Sequence, residues 1–96
     1  MHNELSTAIQ ERREITFTYD GIARVAQPCA VGISRAGNEV LRCYQVGGGH
    51  VTPGHEWDFC EISKIRNLVV TNTTFQGEPT GYRRGDRGMT RIFAEL

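Results

Sequence analysis

From Ile15 to Tyr19 the chain reads Ile-Thr-Phe-Thr-Tyr, with apolar side chains at odd positions and threonines between them. A period of two is the pattern of a strand with one buried face. Asp20-Gly21 follows, a pair suited to the positive φ angles of a tight hairpin turn. A second strand is therefore expected over residues 24–34. Pro28 falls inside it. Proline donates no ladder hydrogen bond, so an edge position, a bend or a bulge is expected there. Ala36-Gly37-Asn38 is a further turn signal, and residues 39–46, 57–65 and 68–74 read as the third, fourth and fifth strands. Ahead of the first strand, Leu5, Ala8 and Ile9 recur at helical spacing within residues 3–13. Asn3 is placed to cap that helix and Glu4 sits at its positive end. Its role would be to cover the end or edge of the sheet. After Phe75 the glycines and Pro79 predict an irregular segment, from which residues 91–96 can return as a short strand.

The same alternation separates two faces. In the third strand Leu41 and Cys43 share a face, and in the fourth Cys60 and Ile62 do. Those four are the expected core. The opposite face carries Arg42, Tyr44, Trp57, Phe59 and Glu61. It is too aromatic for plain exposure to water and calls for a ligand, the C-terminal segment or a partner subunit. Short strands at this spacing predict a mainly β fold, a small antiparallel barrel with an N-terminal helix and an irregular C-terminal segment. One domain is expected, with a helix over 3–13, a barrel over 14–75 and a Gly/Arg-rich segment over 76–96.

Composition sharpens this picture in three respects. Hydrophobic residues make up 39% and charged ones 23% of 96 residues, which is a folding rather than a disordered composition. No apolar run approaches the ~20 residues that span a bilayer, and the N-terminal residues lack the apolar core of a signal peptide. A cytoplasmic location is expected. The cysteines, Cys29, Cys43 and Cys60, are odd in number and show no CxxC spacing, so no disulfide framework is expected. The formal charge is zero, which argues against wholesale electrostatic binding of nucleic acid. Its distribution is uneven, however. Every basic residue except Lys64 is an arginine, and four of them stand in Gly81–Arg91, GYRRGDRGMTR. Arginine offers a planar fork of donors that fits phosphate and carboxylate.

Taken in order, the N-terminal helix, ERREITFTYDGIARVAQP (11–28), GNEVLRCYQV (37–46), WDFCEISKIRNLVV (57–70) and GYRRGDRGM (81–89) resemble a small, stand-alone member of the WYL-domain family. The resemblance covers nearly the whole chain. It is most specific at Arg12–Gly21 and at Ser63–Arg66. It implies an SH3-like, Sm-like β-barrel. It also implies a ligand-sensing module of the kind found in bacterial transcription regulators or near phage-defence genes, one that binds nucleotides or single-stranded nucleic acid without catalysis. The tryptophan-tyrosine-leucine signature reads here as Glu39-Val40-Leu41, and the family's histidine is Cys29, after Gln27-Pro28. The first arginine of the ligand-contacting strand is Glu61, whose charge would repel phosphate. The second is Lys64.

Two readings of the arginines compete. Glycines at 81, 85 and 88 let a backbone approach a ligand closely, and Arg83, Arg84, Arg87 and Arg91 would then grip it. Alternatively the arginines pair with Asp86, Glu61, Glu78 or Glu95 and staple the segment to the barrel. In either case Tyr82 and Met89 would anchor it on the aromatic face. Arg42, Tyr44 and Trp57 could stack a base and hold its phosphate, or close a small outer core. Tyr19 reads as core or edge packing. Cys43, His50, His55 and Cys60 match no standard zinc spacing, and no nucleophile elbow or paired-carboxylate motif occurs. No catalytic residue, metal or cofactor is expected. The expected function is a non-enzymatic module for a nucleotide or short single-stranded nucleic acid. Its ligand-binding candidates are Arg42, Tyr44, Trp57, Lys64, Arg83, Arg84 and Arg87. The alternative is a structural module that forms a homo-oligomer or docks a regulatory protein.

Overall fold

A computed structural model describes residues 1–49 and 53–96. The elements are α1 (His2–Gln10), β1 (Arg13–Tyr19), β2 (Ile22–Ser34), β3 (Glu39–Gly48), β4 (Trp57–Glu61), a 3-10 turn (Ile62–Lys64), β5 (Arg66–Thr74) and β6 (Met89–Glu95). The β1–β2 hairpin closes at Tyr19↔Ile22, with Asp20 at φ 53° and Gly21 at φ 74°. Two successive positive φ angles give the turn whose twist matches the flanking strands.

All strand pairings are antiparallel, and the order is β4-β3-β2-β1-β5 with β6 joined to β2. The hub is β2. One of its edges is taken by β3. The other is divided, held by β1 as far as Ala26 and by β6 from Ala30 onward. Pro28 lies in the gap between those partners, and the register against β3 shifts between Pro28 and Ala30. The expected bulge is present, but β2 is a central strand and not an edge. A residue without an N–H is tolerated best where its strand changes partners.

Several boundaries differ from the sequence reading, and three of them bear on the packing. The helix ends at Gln10, because Arg12 adopts φ 51° and turns the chain into β1. Asn3 lies inside its first turn, and no side chain caps it. The fourth strand stops at Glu61. Ile62 and Ile65, three apart, both reach the core because the chain makes a 3-10 turn between them. The C-terminal segment is irregular only as far as Gly88, and its last residues form β6.

The core gathers Leu5 and Ile9 of α1, Ile15 and Phe17 of β1, Leu41 and Cys43 of β3, Cys60 of β4, and Ile62, Ile65 and Phe75. The face assignment holds, with Leu41 opposite Cys60 and Arg42 opposite Phe59. The three cysteines are buried and free. No ladder joins β4 to β5 among the described residues, so the strands expected to make a barrel form one six-stranded antiparallel sheet. Its ends are tied differently. The Glu61 amide donates to the Tyr19 hydroxyl at 3.0 Å, and the 3-10 turn carries the chain from β4 to β5. A second, smaller cluster of Ala30, Val40 and Met89, with Ile92 against it, lies under β6. Among the described residues no helix is long and apolar enough to cross a membrane.

Candidate functional site: an arginine-lined cleft

The outer face of the β3–β4 hairpin is roofed by the segment between β5 and β6. Trp57 sets the position of that roof. Its indole N–H donates to the Thr80 carbonyl at 3.1 Å, and its ring lies near-parallel to Tyr82, with centroids 6.4 Å apart and planes at 26°. Tyr44 meets Trp57 edge-on at 5.2 Å. Both arrangements are favoured by the quadrupoles of aromatic rings. Gly81 passes over the indole at φ 88°, and a Cβ there would lie 3.3 Å from the indole nitrogen. Met89 is buried against Val40, so both anchors expected of the segment are in place.

Beneath the roof is a cleft of about 510 Å³, lined by Arg42, Trp57 and the run from Gly81 to Arg87. Five of the seven candidate residues meet here: Arg42, Trp57, Arg83, Arg84 and Arg87. Tyr44 supports Trp57 from behind and is not part of the lining. Lys64 lies elsewhere, 3.6 Å from Glu61 on the solvent side of the 3-10 turn. The displacement of Lys64 follows from the early end of β4, since the 3-10 turn rotates residues 62–64 out of strand alternation.

The arginines divide into two pairs. Arg42 and Arg84 are engaged. The Arg42 guanidinium lies 4.2 Å from the Phe59 ring centre and holds Asp86 with both edges of its fork, Nε to Oδ2 at 2.8 Å and Nη2 to Oδ1 at 3.3 Å. The Gly88 amide also donates to Asp86 Oδ1, at 2.8 Å. Burial opposes the charge on Asp86, but the Arg42 hydrogen bond, the Gly88 amide and the Arg42 charge outweigh it and lower the pKa. Arg84 pairs with Glu95 at 3.2 Å and donates to the Leu96 oxygen at 2.9 Å, which the Tyr82 hydroxyl also approaches at 3.1 Å. Glu95 in turn accepts the Gly85 amide at 3.0 Å. Burial and the Glu95 charge push the Tyr82 hydroxyl pKa up.

Arg83 and Arg87 are exposed, and their guanidinium groups make no hydrogen bond or ion pair among the described residues. Only the Arg87 carbonyl is used, as acceptor for Arg35 Nε at 3.0 Å. Thus stapling and availability are both realised, by different arginines. Of the acidic residues weighed as partners for the segment's arginines, Glu95 alone takes that role among the described residues, with Arg84; Asp86 pairs instead with Arg42 of β3. Trp57 is occupied by Tyr82 and Thr80, so its stacking partner is the protein itself.

A further charged cluster was not singled out in the sequence. Arg24 of β2 pairs with Asp58 of β4 at 3.2 Å and lies 5.4 Å from the Tyr19 ring centre. Its only sequence signal is parity, because Arg24 falls opposite Phe17 in the β1–β2 register. The histidine-cysteine set includes His50, which lies outside the described residues. Comparison with protein-family models, with curated proteins and with solved structures gave no match.

Proposed function

We propose that this chain is a non-enzymatic binding module for a phosphate-bearing ligand, a nucleotide or a short single-stranded nucleic acid, held in the arginine-lined cleft. The observation that carries the reading is that Arg83 and Arg87 line one cleft with unengaged guanidinium groups, while Arg42 and Arg84 hold the loop that presents them. The cleft volume suits a ligand of nucleotide size. The resemblance to WYL domains supports the same ligand class, and a regulatory role in bacterial transcription or phage defence rests on that resemblance alone. The roles differ from those expected from the sequence. Arg83 and Arg87 grip the ligand, Arg42 and Arg84 shape the site, and Lys64 takes no part.

Trp57 is the chain's single tryptophan and borders the cleft, so its fluorescence reports occupancy. Titration with adenosine 5′-monophosphate and with a short oligonucleotide tests the proposal. Each lost charge-assisted hydrogen bond to phosphate is worth roughly 1.5–3 kcal/mol. Arg83→Ala with Arg87→Ala should therefore weaken binding by about 100-fold or more, and Lys64→Ala should leave it unchanged. Saturable binding that ignores both cleft arginines would dismiss the site.

A second reading is favoured by β5. Among the described residues its ladder is made with β1 alone, and from Asn67 to Thr74 it carries no charge, proline or glycine. Val69 is 55% exposed. An edge this unguarded is a template for strand addition. In this reading the module oligomerises or docks a protein through β5. Sedimentation of wild type and Val69→Lys separates the two readings, since only strand addition predicts an assembly that the lysine dissolves.

A further inference from the structure

The set of donors around Asp86 is an oxyanion site filled by the protein itself. Two nitrogens of one guanidinium and one backbone amide converge on a carboxylate, at 2.8, 3.3 and 2.8 Å. The same set fits two oxygens of a phosphate. Gly88 leaves the space open, because a Cβ there would lie 3.1 Å from Asp86 Oδ1 and 3.2 Å from Phe59. Asp86 follows Gly85, which sits at φ 73°, and precedes Gly88 by two residues, so glycines lie close on both sides of the turn that carries it.

Building on the phosphate-binding reading of this cleft, we infer that its ligand carries a terminal phosphate monoester, and that this group takes the place of the Asp86 carboxylate on the Arg42 fork and the Gly88 amide. Charge decides for the monoester over a diester linkage. Arg42, Arg83, Arg84 and Arg87 face the carboxylates of Asp86 and Glu95, which leaves two positive charges unbalanced. A monoester brings about −1.5 to −2 at neutral pH, whereas a diester brings one. Arg83 and Arg87 receive the incoming group, and Arg42 completes its coordination once Asp86 leaves. Asp86 thereby sets affinity. The apparent dissociation constant is the intrinsic one divided by the fraction of molecules in which Arg42 is free.

Asp86→Asn keeps the shape and an acceptor for Gly88 but removes the competing charge. Trp57 fluorescence is titrated with adenosine 5′-monophosphate and with adenosine, for wild type and D86N. The expected result is a roughly 10-fold or greater tightening for the monophosphate in D86N, with adenosine bound by neither protein. Unchanged or weaker monophosphate binding in D86N, beside measurable binding by wild type, overturns the displacement and leaves the binding function standing. Equal binding of adenosine and its monophosphate overturns the ligand class. No binding by either protein overturns both. If D86N fails to fold, amide and guanidinium NMR of the wild type decides. On addition of inorganic phosphate the Arg42 Nε–H and Gly88 N–H resonances should shift, while Glu11 N–H, held by the Thr7 carbonyl at the end of α1 and outside the cleft lining, should not. Stationary Arg42 and Gly88 signals at saturating phosphate would sink the inference.

Discussion

Burial alone would raise the pKa of Asp86, yet Arg42 and the Gly88 amide hold it below the usual carboxylate value of 3.8. The charged form is therefore tied to the folded state. Its contribution is complete above the unfolded pKa and is lost as pH falls through the lower, folded one. Urea unfolding measured from about pH 5 down to pH 2 should show wild type losing stability more steeply than Asp86→Asn; parallel curves would refute the tie. Cys29 carries the opposite sign. Burial, against the Tyr44 backbone hydrogen bond and the Arg42 charge, pushes its thiol from 9.0 to about 12. A raised thiol stabilises the fold below pH 9.0 and does so progressively less as pH climbs toward 12. Thiolate is the reactive form and all three cysteines are buried. A thiol reagent such as DTNB should accordingly label none of them in the native protein and all of them in denaturant. Which arginine would be paired was not legible at this scale. Arg42 and Asp86 are 44 residues apart, and nothing local to either names the other. The cluster itself was legible, because four arginines among glycines stand out in any neutral chain.

At the scale of elements, the two faces of β3 and β4 were readable because strand alternation is strict and Cys60 and Ile62 fix which face is apolar. The end of β4 was not, since apolar residues three apart fit a turn as well as a frayed strand. The position of β6 was hidden for a different reason. Its pairing with Ala30–Ser34 spans most of the chain, and a glycine in β2 is the only local hint of it. That glycine, Gly32, is where β6 approaches most closely. A Cβ at Gly32 would collide with the Arg91 carbonyl, and backbone cannot step aside as a side chain can. Gly32→Ala should therefore cost roughly 2 kcal/mol or more in urea unfolding, through strain of the overpacked kind. A loss under about 0.5 kcal/mol would mean that β6 slides freely. Tyr82→Phe is the milder probe of the same junction. It removes only the hydroxyl that reaches Leu96, and about 1 kcal/mol is expected.

For the whole molecule the radius of gyration is 12.0 Å, close to the roughly 12.5 Å expected for a compact chain of this length. That compactness depends on the last residues returning. The sequence suggests a barrel that is complete by Phe75, with a tail laid on it. In the structure β6 supplies Ala94, and Leu96 follows it into the central core. Met89 covers Val40 and Ala30 on the outer face. The C-terminal half of β2 has β6 as its partner on one edge, and the Leu96 amide donates to the Cys29 carbonyl at 2.9 Å. The segment is thus a structural strand with the arginine cleft built into its approach, so removing it should do more than remove the cleft. A chain truncated after Phe75 would leave one edge of β2 unpaired from Ala30 to Ser34 and would expose apolar surface on both faces of the sheet. Such a chain should keep strand content by far-ultraviolet circular dichroism but lose its sharp urea transition and bind the dye ANS, as loosely packed states do. Arg83→Ala with Arg87→Ala, which deletes only exposed guanidinium groups, should unfold like wild type to within about 0.5 kcal/mol. If the truncated chain instead unfolded cooperatively at the wild-type midpoint, the C-terminal segment would be an appendage, and the cleft could not owe its shape to the fold.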